Sequence, residues 1–197
     1  RTRSAGLRWA IVGGVIGTRV AIGLWRSRVP WGVSLHVVLA FANVLGAGIA
    51  GMAIAWARAD GTLTLAPQAV AFAHGHGAVL GWAAMMIVGV SYRLVPMFLP
   101  AAMPSGGSLA TSAILLEIGA LGLAAALTAG WTTLPWTLVV GLGFTAFFVR
   151  VRAMLGSRRP RPVELPRPDW STWQTHVALF SLFVALVLGV ALGLMGP

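Results

Sequence analysis

Hydrophobic and polar positions along this chain fall in blocks. Five runs, 33–57, 69–97, 109–130, 132–154 and 173–195, are almost wholly apolar. Each has the ~20 residues that an α-helix needs to cross the hydrocarbon core of a bilayer. A sixth run, 9–25, has sufficient apolar character but carries Arg19 within it. An intramembrane arginine costs about 3 kcal/mol or more unless it pairs or reaches the interface, so this run packs inside a bundle or lies along the membrane surface. The pattern predicts an all-α fold: a polytopic transmembrane helical bundle of five to six spans, forming one domain over residues 1–197.

The connections sharpen the topology. Residues 26–32 hold Arg26 and Arg28, 58–68 hold Arg58 and Asp60, and 98–108 form a Pro/Gly/Ser turn. Links this short make successive helices antiparallel neighbours. The stretch from Arg150 to Asp169 differs, with six Arg and four Pro against Glu164 and Asp169. It predicts an extended cytoplasmic loop at 155–172. With that loop inside, the last span runs outward and 26–32 also falls inside. Six spans then leave the N-terminus outside despite Arg1, Arg3 and Arg8, whereas five place it inside. The charge rule alone leaves both counts open.

Composition agrees with a membrane protein. The 197 residues are 58% hydrophobic and 9% charged, with a mean hydropathy of +0.87; soluble domains carry roughly 25% charged residues. No Cys is present, which excludes disulfides, thiolate metal sites, iron–sulfur clusters and a Cys nucleophile. The net charge of +10 comes from Arg residues in the links between apolar runs. There they set topology and do not point to nucleic acid. The expected partner is the lipid bilayer, and the expected location is the inner (cytoplasmic) membrane, multi-pass. The chain opens on Arg1 instead of Met, so it reads as a processed or cropped piece of something longer. No secretory signal with an obvious cleavage site precedes the first run.

Chemistry concentrates at the histidines. His36, His74, His76 and His176 all fall within or at the start of an apolar run, and an ionisable side chain at membrane depth marks a functional site or a helix bridge. His74 and His76 are two residues apart and therefore point about 200° apart on a helix. They cannot chelate one ion together but can serve two centres on opposite sides. Gly75, Gly77 and Gly81 beside them leave room for a planar macrocycle, and equally for close helix packing.

The segment HGHGAVLGWAAMMIVGVSYRLVP resembles the histidine-pair helix of heme-copper oxidase catalytic subunits, in the branch of haem-b oxidases and nitric oxide reductases. The similar positions are His74 and His76, then Gly77 or Ala78 with Leu80, Gly81 and Trp82, then Gly89, Tyr92 and Pro96. The resemblance covers roughly thirty residues. The resemblance implies that His74 ligates a high-spin haem and His76 a low-spin haem on the opposite face. It implies haem b and, less strongly, copper as cofactors. The family's catalytic subunit has about twelve spans and a further histidine set for copper, and neither is present here. The chain thus resembles a short stand-alone relative of that subunit. A second resemblance is to the NnrS family, whose helices carry similar His-x-His pairs.

The remaining polar groups rank lower. His36 and His176 each open a span and would lie near the cytoplasmic side, about 20 Å or more from the pair. They could form a second haem or metal site, with Asn43 on the face of His36 and Thr175 beside His176, or bond headgroups and loop carbonyls. Glu117, the one carboxylate within a run, is a proton-pathway candidate that could pair with Arg19 or Arg93, or bridge helices as a neutral carboxyl. Arg93 is expected at an interface, too distant to meet a haem at His76. Trp25, Trp31, Trp131, Trp136, Trp170 and Trp173 are expected in an interfacial belt. Met85, Met86 and Met97 are expected to pack, although thioethers can ligate copper.

The expected function is a haem- and/or copper-binding membrane protein in respiratory electron transfer or in nitric oxide or oxygen metabolism. If it is an enzyme, it is an oxidoreductase. A second subunit or a homodimer could complete the haem site. The alternative is a cofactor-free membrane subunit or a small-solute or proton carrier whose histidines bridge helices.

Overall fold

A computed structural model describes residues 2–26, 29–62, 64, 66–104, 108–160 and 169–195. The described residues form six helices: α1 (Thr2–Arg26), α2 (Trp31–Ala59), α3 (Pro67–Phe98), α4 (Ser108–Ala129), α5 (Leu134–Gly156) and α6 (Trp170–Met195). The apolar runs become helices because every backbone N–H and C=O in a bilayer must be satisfied within its own segment. Five helices, α2 to α6, are long and apolar enough to cross a membrane. In α1 the apolar stretch is Ile11–Leu24, shorter than a full span. The side chains of Arg1, Arg3, Arg8 and Trp25, and residues 161–168 of the Arg/Pro loop, lie outside the described residues.

Starts and stops follow local chemistry. Pro67 opens α3 at the first helical turn, where its missing N–H is no loss. Asp169 caps α6: its carboxylate accepts from the Thr172 N–H at 3.2 Å and from the Ser171 and Thr172 hydroxyls. Gly61 and Gly130 take positive φ values of 67° and 69° where α2 and α4 end, a conformation glycine adopts without steric cost.

Lipid tails are as apolar as leucine, so helix association here rests on close packing and on polar bridges. The α4–α5 pair shows the first device. A Cβ on Gly119 would sit 2.6 Å from Val140 Cγ2, and one on Gly143 would sit 2.9 Å from Leu116 Cγ. Reciprocal glycines thus let two backbones meet. α3 is packed on α2 and α4, α1 lies against α2, and α6 touches mainly α5 and one end of α3. An aromatic ladder crosses the bundle from Tyr92 through Phe147 and Phe148 to Phe183, with successive ring centroids 5.3–5.9 Å apart. The outer surface is apolar, with Val79, Phe180, Leu188 and Leu192 all more than half exposed, as a lipid-facing surface requires.

α3 is not a uniform helix. Between Pro67–His76 and Met85–Phe98, the segment Gly77–Ala84 winds as a π-helix. The Met85 N–H reaches back to the Leu80 carbonyl, five residues earlier. Such an insertion rotates everything after it relative to the histidine pair and often accompanies a functional site.

Candidate functional site

α2 and α3 run antiparallel, and their shared seam is a series of polar side chains each seated on a glycine. His36 lies over Gly89, Asn43 over Gly81, and His74 over Gly51. These pairs are seven or eight residues apart on both helices, so one face of each carries all three. A side chain of hydrogen-bonding size fits inside a tight interface only where the opposite helix supplies no Cβ.

At the first station His36 is fully buried, 0% exposed. Its Nδ1–H donates to the Gly32 carbonyl at 2.7 Å, which leaves Nε2 as an acceptor. Nε2 lies 3.0 Å from the Ser112 hydroxyl, and the Tyr92 hydroxyl lies 2.8 Å from the same oxygen. Ser112 also approaches the Leu109 carbonyl at 3.0 Å. His36 and Tyr92 rings meet edge-on with centroids 5.5 Å apart. Three helices are therefore joined at Ser112, a residue that sequence reasoning passed over because a lone serine in SLATSAILLE carries no motif. His36 is buried among helices rather than open to headgroups. Gly32 packs directly on Leu109 and Ala110, which draws the start of α2 into the core. Both ring nitrogens of His36 are engaged, and the side chain bridges α2 to α4.

At the second station Asn43 Nδ2 donates to Glu117 Oε2 at 2.7 Å and to the Gly81 carbonyl of the π segment at 3.0 Å. Glu117 thus pairs with an amide. The expected arginine partners are elsewhere: Arg19 and Arg93 are both exposed.

The third station is the histidine pair, and the 200° separation holds. His74 turns inward, half-buried, with its Cε1 3.1 Å from where a Gly51 Cβ would be. Its Nδ1 is buried and has no hydrogen-bond partner. His76 turns outward and is exposed, between the exposed Phe72 and Val79. Its Nδ1–H donates to the Phe72 carbonyl at 2.8 Å. That bond fixes the tautomer and presents Nε2, the nitrogen that ligates metals when the other is tied to a carbonyl.

His176 makes the same bond, Nδ1–H to the Thr172 carbonyl at 2.7 Å, on the exposed surface of α6. It lies on α6, which makes no contact with α2 among the described residues, so the second site that His36 and His176 could have formed together is not assembled. Thr175 bonds back to the Ser171 carbonyl. Met85 is in the core, Met86 packs against it, and Met97 is exposed. Trp31, Trp131, Trp170 and Trp173 are exposed near helix ends, and Trp136, in the first turn of α5, covers Gly122. Among the described residues no three His, Asp or Glu side chains gather as a metal site.

No protein-family profile, no curated protein and no solved structure matches this chain. What its own residues establish is a multi-pass α-helical membrane protein with a polar seam between α2 and α3 and a histidine pair divided between the interior and the surface of α3.

Proposed function

We propose that this protein binds haem b at His76 and serves respiratory electron transfer or nitric oxide or oxygen metabolism in the inner membrane. The observation that carries the reading is the state of the His76 ring: exposed on an apolar surface and held by the Phe72 carbonyl, with Nε2 bonded to none of the described residues. Imidazole in that tautomer suits haem iron, and the flanking Phe72 and Val79 supply the apolar wall a porphyrin needs. Haem bound there would supply one-electron chemistry and a site for a diatomic gas. The residues of this chain contribute orientation. The Phe72 carbonyl stops the His76 ring from turning. His74 fits a second haem poorly, because its ring packs into the α2–α3 contact with Cε1 3.1 Å from where a Gly51 Cβ would be. His76 would hold the haem from this chain, and a second copy, another subunit or the gas itself would complete its binding.

Haem titration of the purified protein in detergent tests this. The wild type and His176→Ala should develop the same Soret band at one equivalent. His76→Ala should lose it. An identical Soret response in His76→Ala, or none in the wild type, contradicts the assignment.

A further inference from the structure

The Asn43 station has its own chemistry, separate from His76. One NH2 group sits where a carboxylate oxygen and a backbone carbonyl converge, at 2.7 Å and 3.0 Å. A bound cation would occupy the same electrostatic position. The carboxylate belongs to Glu117, half-buried with Asn43 as its neighbour. The carbonyl belongs to Gly81, inside the π-helical segment Gly77–Ala84. In membrane proteins, helices that depart from α geometry offer backbone carbonyls to cations at mid-depth. This station is at that depth: Asn43 is about 18 Å along α2, and Glu117 about 13 Å along α4. The third potential ligand is already in place. Asn43 Oδ1 lies 3.1 Å from where a Gly81 Cβ would be, so a half-turn of the amide exchanges NH2 for oxygen without moving the side chain.

We propose that Glu117, the Asn43 amide and the Gly81 carbonyl form an intramembrane binding site for a small monovalent cation, a proton or sodium. With sodium, the ligands are a Glu117 carboxylate oxygen, Asn43 Oδ1 and Gly81 O. With a proton, the Glu117 O–H donates to Asn43 Oδ1 once the amide has turned. Both states neutralise the only carboxylate within the spans and both turn the same amide. The titratable side chains facing the site along the seam are His36 with Tyr92 on one side and His74 on the other, each about 10 Å away along the helices. From its far side α4 meets α5 through Trp136 and Val140, which are uncharged.

Carbodiimide labelling of the whole protein in liposomes tests the site, with labelled Glu117 quantified by mass spectrometry. Dicyclohexylcarbodiimide partitions into the bilayer and attacks protonated carboxyls there. Glu117 should be labelled, and Glu117→Gln should abolish that label. If sodium is the ligand, sodium chloride slows labelling and choline chloride at equal strength does not. If the proton is the ligand, labelling follows pH alone. Asn43→Ala should remove the sodium protection or shift the pH midpoint, whereas His76→Ala should do neither. Labelling indifferent to both pH and sodium, absence of labelling in folded protein, or an Asn43→Ala profile identical to wild type overturns the proposal.

Discussion

Gly89→Ala is the most demanding perturbation of the α2–α3 seam. An added methyl at Gly89 would collide with the Cβ of His36 and lie 3.2 Å from its Cγ. The Cβ is fixed to the α2 backbone and cannot swing aside, so either the helices part or His36 leaves Ser112. Overpacking of this kind costs about 1–3 kcal/mol. Losing the Ser112 bond in a buried site costs roughly a further 1–3 kcal/mol. Alanine recovers about 1 kcal/mol of helix propensity over glycine. The net expectation is a loss of about 1–5 kcal/mol. Gly75→Ala is the control, because nothing lies within 4 Å of its added methyl, and it should be neutral or up to about 1 kcal/mol stabilising. Reversible unfolding in mixed micelles, followed by tryptophan fluorescence, gives both values. Equal stabilities for the two variants would refute the seam as described.

Ser112→Ala should cost about 1–3 kcal/mol in the same assay, since it strips partners from both His36 Nε2 and the Tyr92 hydroxyl; a change below a few tenths would remove Ser112 from its bridging role. Glu117→Gln keeps an acceptor for Asn43 and should alter stability by less than about 1 kcal/mol, whereas Asn43→Leu, which abandons both the Gly81 carbonyl and Glu117, should cost clearly more; the reverse order contradicts the bridge. Arg158→Ala breaks a 3.6 Å ion pair with Asp169 that is partly open to solvent, and should cost about 1 kcal/mol at most, with any effect diminishing as salt is added.

The sequence made the membrane bundle legible because each span carries its signal in length and hydropathy. The runs at 33–57 and 69–97 correspond to helices at Trp31–Ala59 and Pro67–Phe98, and the others agree as closely, except that α1 extends well before residue 9. The opposed directions of His74 and His76 were equally legible, since two residues of helix fix that angle. What escaped was everything that depends on a neighbouring helix. The burial of His36 is one example, since only the contact of Gly32 with Leu109 shows that the start of α2 packs against α4. Glu117 was sought by arginines of opposite charge but met an amide two helices away in sequence. The π turn at Gly77–Ala84 leaves hydropathy unchanged, so no period could reveal it.

The central claim, haem at His76, is tested most directly by a reduced-minus-oxidised optical spectrum of the detergent-purified protein beside its His76→Ala and His74→Ala variants. The account predicts haem b bands in the wild type, their loss in His76→Ala, and their retention in His74→Ala. Bands that survive His76→Ala, or a flat wild-type spectrum after growth with ample haem, would contradict it.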